Sequence, residues 1–129
     1  MAGKYNEVIV DSLANRWRAT NATVGATCVA ASPTLGDLRE LHNLTSVNVS
    51  IANMSAAAST VTLSVRDASI AGTVLASLDI VTPAAAGSTN SLYFDLPGNR
   101  GTPISVDLGL LGGSVAGKLN ICGWKEIDR

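Results

Sequence analysis

The chain has 129 residues, 47% of them hydrophobic and only 15% charged, with a formal net charge of -1. That length suits one domain able to bury roughly two thirds of its unfolded surface. The balance excludes an intrinsically disordered chain and gives no electrostatic footprint for nucleic acid or an acidic membrane.

Aromatic residues make up 4%, so the core must be assembled from Val, Ile, Leu and Ala, with Trp17, Tyr93, Phe94 and Trp124 as its few large pieces. No apolar run reaches the about 18 residues of a membrane span. The opening MAGKYNEVIVDSLANR lacks the apolar segment of a secretory signal, so synthesis in the cytoplasm is expected. There, Cys28 and Cys122 are expected as free thiols rather than a disulfide. Without a CxxC or Cys/His cluster, no metal or other cofactor is expected.

Residues 1–20 are the least patterned. Glu7–Asp11 reads as a short strand, and Arg16-Trp17-Arg18 brackets an aromatic with two charges. The segment is either an extended arm reaching a neighbouring subunit or an edge strand laid on the domain formed by residues 21–129. Arg16, Trp17 and Arg18 are the candidate partner contacts. Thr20–Ala31 suits one strand interrupted at Gly25 by a bulge. Ser32–Asp37 is turn chemistry, and Leu38–His42 has a short helical flavour.

Leu44–Arg66 is the most regular stretch. Val47, Val49 and Ile51 alternate with Asn48, Ser50 and Ala52; after a small-residue link, Val61, Leu63 and Val65 alternate with Thr62, Ser64 and Arg66. A period of two marks a pair of half-buried strands that need a second layer over their apolar face. The beat continues through Leu78 and Ile80, then Leu92, Phe94 and Leu96, then Ile104 to Leu110, and finally Leu119 and Ile121 before Trp124. About eight strands with no convincing helix predict an all-β, antiparallel β-sandwich, jelly-roll-like, with an extended N-terminal arm.

Catalytic signatures are thin. Gly112–Lys118 approaches a phosphate loop, but Leu119 stands where Ser or Thr should bind magnesium, and the following residues alternate as a strand. A glycine-rich hairpin turn is the better reading. Asp67, Asp79, Asp95 and Asp107 sit at polar strand positions or ends and read as a solvated face rather than a carboxylate pair or calcium loop. His42, the sole histidine, has no nucleophile motif beside it. The sequons at Asn21, Asn43, Asn48 and Asn53 read as coincidence in a Ser/Thr/Asn-rich chain. Tyr93, Trp17 and Trp124 read as packing pieces or interface anchors before a sugar-stacking platform.

The runs NMSAAASTVTLSVRD, GTVLASLDIVTPAAAGSTNSLYFDLP and GTPISVDLGLLGGSVAGKLNICGWKE, spanning about residues 44–126, resemble small all-β proteins of tailed bacteriophages. In layout and composition they are similar to capsid decoration, or cement, proteins. That resemblance implies a non-enzymatic structural protein of the virion, made in the host cytoplasm. It would bind the major capsid protein on the outside of the capsid as a homotrimer and stabilise the head by bridging capsid subunits, with no nucleic acid or membrane partner. The alternative it implies is a phage tail or receptor/glycan-binding β module.

Overall fold

The structure, a computed structural model, describes residues 7–11, 16–33, 40–99, 101–109 and 111–127. Among them are nine strands and no helix: β1 (Glu7–Asp11), β2 (Arg16–Val24), β3 (Cys28–Ala31), β4 (Glu40–Asn53), β5 (Ser59–Asp67), β6 (Val74–Thr82), β7 (Ala86–Pro97), β8 (Ile104–Leu108) and β9 (Val115–Ile127). They form two antiparallel sheets, ordered β1-β2-β9-β4-β7 and β3-β8-β5-β6. From β2 to β9 the chain crosses from one sheet to the other at every connection except the β5–β6 hairpin, which is the jelly-roll path. The all-β sandwich expected from the alternation is present, as eight jelly-roll strands with β1 added at one edge.

Period-two patterning puts one face of each sheet in the core. Val47, Val49 and Ile51 of β4 and Leu119 and Ile121 of β9 meet Val61, Leu63 and Val65 of β5 and Ile104, Val106 and Leu108 of β8, all at most 2% exposed. Each such side chain contributes about 1.5–3 kcal/mol relative to exposure. β4 and β5 face each other across this core and are not hydrogen-bonded: β4 pairs with β7 and β9, β5 with β6 and β8.

Two local readings are corrected. Thr20–Ala31 is not one bulged strand, because Gly25, at φ 68°, turns the chain out of one sheet and into the other. Its N–H donates to the Val115 carbonyl at 3.1 Å. His42 lies inside strand β4, not in a helical turn; residues 34–39 lie outside the described residues. The boundary expected at residue 20 falls within β2, which pairs along its whole length with β9.

Asn53 ties two connections together at one end of the sandwich. It is fully buried, and its Nδ2 donates to the carbonyls of Ala57, Thr82 and Pro83 at 2.9, 3.2 and 3.1 Å. Its Oδ1 accepts from the N–H and hydroxyl of Ser55 at 3.0 and 2.6 Å. One side chain thus fixes the β4–β5 link against the β6–β7 loop. Truncation would leave buried carbonyls without a donor, so N53A is expected to lose at least about 2 kcal/mol. Urea unfolding with an unchanged slope would read this loss directly.

Candidate functional site

The outward face of the five-stranded sheet carries the side chains of opposite parity to the core. Register fixes them in rows across β2, β9, β4 and β7. One end of the face is lined by small residues: Val24, Ala116, Ala52 and Gly87 form a row, with Ala22, Lys118, Ser50 and Thr89 next to it. Together they border a hollow of about 430 Å³. Below it lie Thr20, Asn120, Asn48 and Ser91, where the Ser91 hydroxyl donates to Asn48 Oδ1 at 2.8 Å. The far end holds Arg18, Cys122, Ser46 and Tyr93, then Arg16 beside Trp124.

Two aromatics stand out of this face. Tyr93 is 84% exposed and Trp124 43%. They sit on β7 and β9, on either side of β4 and one row apart. Strand spacing and rise put their Cα atoms roughly 12 Å from each other. Arg16 and Arg18 are exposed on the same face. Asn120 Oδ1, in the middle of the face, has no hydrogen-bond partner among the described residues.

Trp17 is elsewhere. It points inward, is 3% exposed, and packs against His42 with ring centroids 5.4 Å apart. It is a core piece, so of the Arg16-Trp17-Arg18 triplet only the two arginines reach the surface of the folded chain. Of the three aromatics considered as a platform, Tyr93 and Trp124 share a face and Trp17 does not.

The other chemistry-bearing residues are structural in their settings. His42 is 1% exposed, with Nδ1 2.6 Å from Ser32 Oγ, and that oxygen accepts the Ile104 N–H at 2.8 Å. Ser32 is itself buried, so this Ser–His contact clasps the start of β8. Burial is the main cause holding the imidazole down to about 4 from an ordinary 6.5; Lys125 adds to the effect and Glu40 opposes it.

Asp107 departs from the solvated-face reading. It is 3% exposed and accepts from Arg66 Nε at 2.8 Å, while Arg66 Nη1 donates to the Gly72 carbonyl at 3.3 Å. Asp79 and Asp67 accept from Thr62 and Thr102 at 2.8 and 2.6 Å. No metal-holding group of three or more His, Cys, Asp or Glu occurs among the described residues. Lys118 lies within β9 and not at a helix N-terminus, so its glycine-rich approach is a turn into a strand. Cys28 and Cys122 are free. Cys28 points into the core, where burial pushes its thiol up.

No protein-family model matches the chain, and no curated protein matches it. Among solved structures it is similar to CBM4, at TM-score 0.42 and 12% identity over 93% of this chain and 76% of that one, and to the carbohydrate-binding module CBM36, at 0.40 and 11% over 78% and 76%. It is also similar to the enzymatically active domain of bacteriophage CBA120 tailspike protein 4, at 0.37 and 14%, over 88% of this chain but 15% of that one. The coat protein of Tobacco streak virus gives 0.37 and 12%, covering 89% of each. At these values the likeness is a loose one of strand layout.

Proposed function

We propose that this chain is a non-enzymatic glycan-binding β module that seats a saccharide chain on the outward face of β2, β9, β4 and β7. The observation that carries the reading is the shared exposure of Tyr93 and Trp124 on one face, with a row of amide and hydroxyl side chains next to Tyr93. Leaving large aromatic surface in water forgoes burial worth a few kcal/mol, which a ligand recovers. A pyranose ring offers an apolar C–H face to stack on an aromatic ring and a rim of hydroxyls for hydrogen bonds. Ser46 lies between the two rings, Asn48, Asn120, Ser50 and Lys118 supply donors and acceptors on the rows beyond Tyr93, and the small-residue hollow past them leaves room for the chain to continue. Apolar platforms with a few placed polar groups are the usual make-up of such sites.

The test is a glycan array followed by calorimetry on any hit. Y93A and W124A are each expected to weaken binding about tenfold or more, as central aromatic anchors do. Silence across the array, or a hit indifferent to both substitutions, would end the reading.

A second reading keeps the protein on the virion as a head decoration protein, bound to the major capsid protein as a homotrimer. Its support is the composition of the same end of the face: Arg16, Arg18, Trp124 and Tyr93 are the residue types that dominate protein–protein hot spots. Co-sedimentation with emptied heads, abolished by R16E/R18E, would favour this reading over the first. Labelling of tail tips in electron micrographs would favour the glycan module.

A further inference from the structure

The four sheet edges of the sandwich are built unequally. β1 is five residues long with acids at both ends, and β3 is four residues long and followed two residues later by Pro33. Short strands, charge and proline are the usual devices that keep an edge from pairing. On the opposite side, β7 runs twelve residues with Asp95 as its single charge and a proline, Pro97, only at its last position, and β6 runs nine with only Asp79. Neither has a second strand partner among the described residues.

The sandwich is also open on that side. Leu78 pairs in register with Leu63 on the inward face, yet Leu63 is 1% exposed and Leu78 44%. Between the sheets lies an apolar cleft of about 230 Å³ lined by Leu63, Val65, Ala76, Leu78, Leu92 and Phe94. A long unprotected edge beside an uncovered piece of core is a surface built for an added strand.

We infer that this edge is occupied by a second copy of the chain, β7 pairing antiparallel with β7 of the second copy about a two-fold axis at Tyr93. Only a centre on a residue keeps inward side chains opposite inward ones. Centring on Tyr93 sets Leu92 against Phe94 of the second copy, twice over, at the mouth of the cleft. Asp95 then faces Ser91 of the second copy, so the lone charge meets no like charge. With the axis at Tyr93, residues 89–97 of the two copies pair; nine residues at about 3.4 Å each give a paired edge about 30 Å long, and a strip that long across both sheets comes to roughly 450–600 Å² per copy, the lower end of specific interfaces. The self-complementary patch is what a two-fold requires. The two outward faces join into one ten-stranded surface with the two Tyr93 rings at the seam.

Sedimentation equilibrium is expected to give twice the 13.2 kDa chain mass at about 10 µM, within the affinity range of such interfaces. Y93K places two ammonium groups on the axis and is expected to give the monomer mass. Far-UV circular dichroism should not change, since Tyr93 is 84% exposed, and the melting temperature should fall no lower than that of the unaltered protein diluted to the monomer. T60K, on the exposed face of β5, should remain dimeric. In a C122S background, Y93C should oxidise to a disulfide-linked dimer, and T89C should not. A monomeric or three-chain mass for the unaltered protein would overturn the inference, as would a dimer that survives Y93K. None of these readouts depends on a glycan.

Discussion

Replacing Gly123 by alanine is expected to remove at least about 3 kcal/mol of stability, the upper range for forcing an extra carbon into a packed core. Gly123 sits in β9 between Trp17 of β2 and Leu44 of β4. A Cβ there would overlap the Asn43 carbonyl oxygen and the Trp17 indole. The indole cannot swing aside, because it is buried against His42. The carbonyl cannot move without opening the β4–β9 pairing beside its register shift at Leu44/Ser46. Trimming Trp17 as well should not rescue the variant, since the backbone clash remains. The control is G113A: nothing lies within 4 Å of a Cβ at Gly113 and its φ is not in the left-handed region, so a change within about 0.5 kcal/mol is expected. Urea midpoints for the two variants decide the matter; equal midpoints would show that the strands give way more easily than the geometry implies.

How much of this was legible beforehand follows from what alternation can carry. A period of two sorts side chains into two faces, and Val47 to Ile51 and Val61 to Val65 were sorted correctly. It says nothing of which strand lies alongside. The link between β4 and β5 therefore read as joining a pair, whereas it carries the chain from one sheet to the other. Gly25 reads as a bulge or as a turn equally well until the two flanking halves find different partners. Asp107 occupies a polar position between Val106 and Leu108, and only its meeting with Arg66, 41 residues away, explains why it is buried.

The candidate site was half visible. Arg-Trp-Arg at strand spacing already says that Trp17 faces away from the two arginines, and applying the period to that triplet would have sent it to the core. Tyr93 alternates with Leu92 and Phe94 and so had to face out. That Tyr93 and Trp124 share a surface depends on the β9–β4–β7 order, a non-local fact that no stretch of sequence contains.

Acidification from about pH 7 to 4 is expected to drain about 3 kcal/mol from the folded state through His42 alone. The imidazole titrates near 6.5 when unfolded and is held down to about 4 when folded, chiefly by burial. Above 6.5 neither state carries the proton, and the contribution of the buried neutral ring is fully present. As the pH falls through 6.5 the unfolded chain takes up a proton that the folded chain refuses. Stability then falls by about 1.4 kcal/mol per pH unit until the folded ring also protonates. Carboxylates titrate mostly below about pH 5, so the window above that belongs to histidine. The chain has a single histidine, which makes the assignment unambiguous. H42Q should therefore be less stable at neutral pH yet show a flat urea midpoint between about pH 7 and 5, where the unaltered protein slopes downward. The imidazole resonance in the folded protein should stay at its neutral position across that window. A ring that titrates near 6.5 in the folded chain would mean that water reaches it, and the Ser32–His42–Trp17 cluster would then have to be an opening in the sandwich and not its seal.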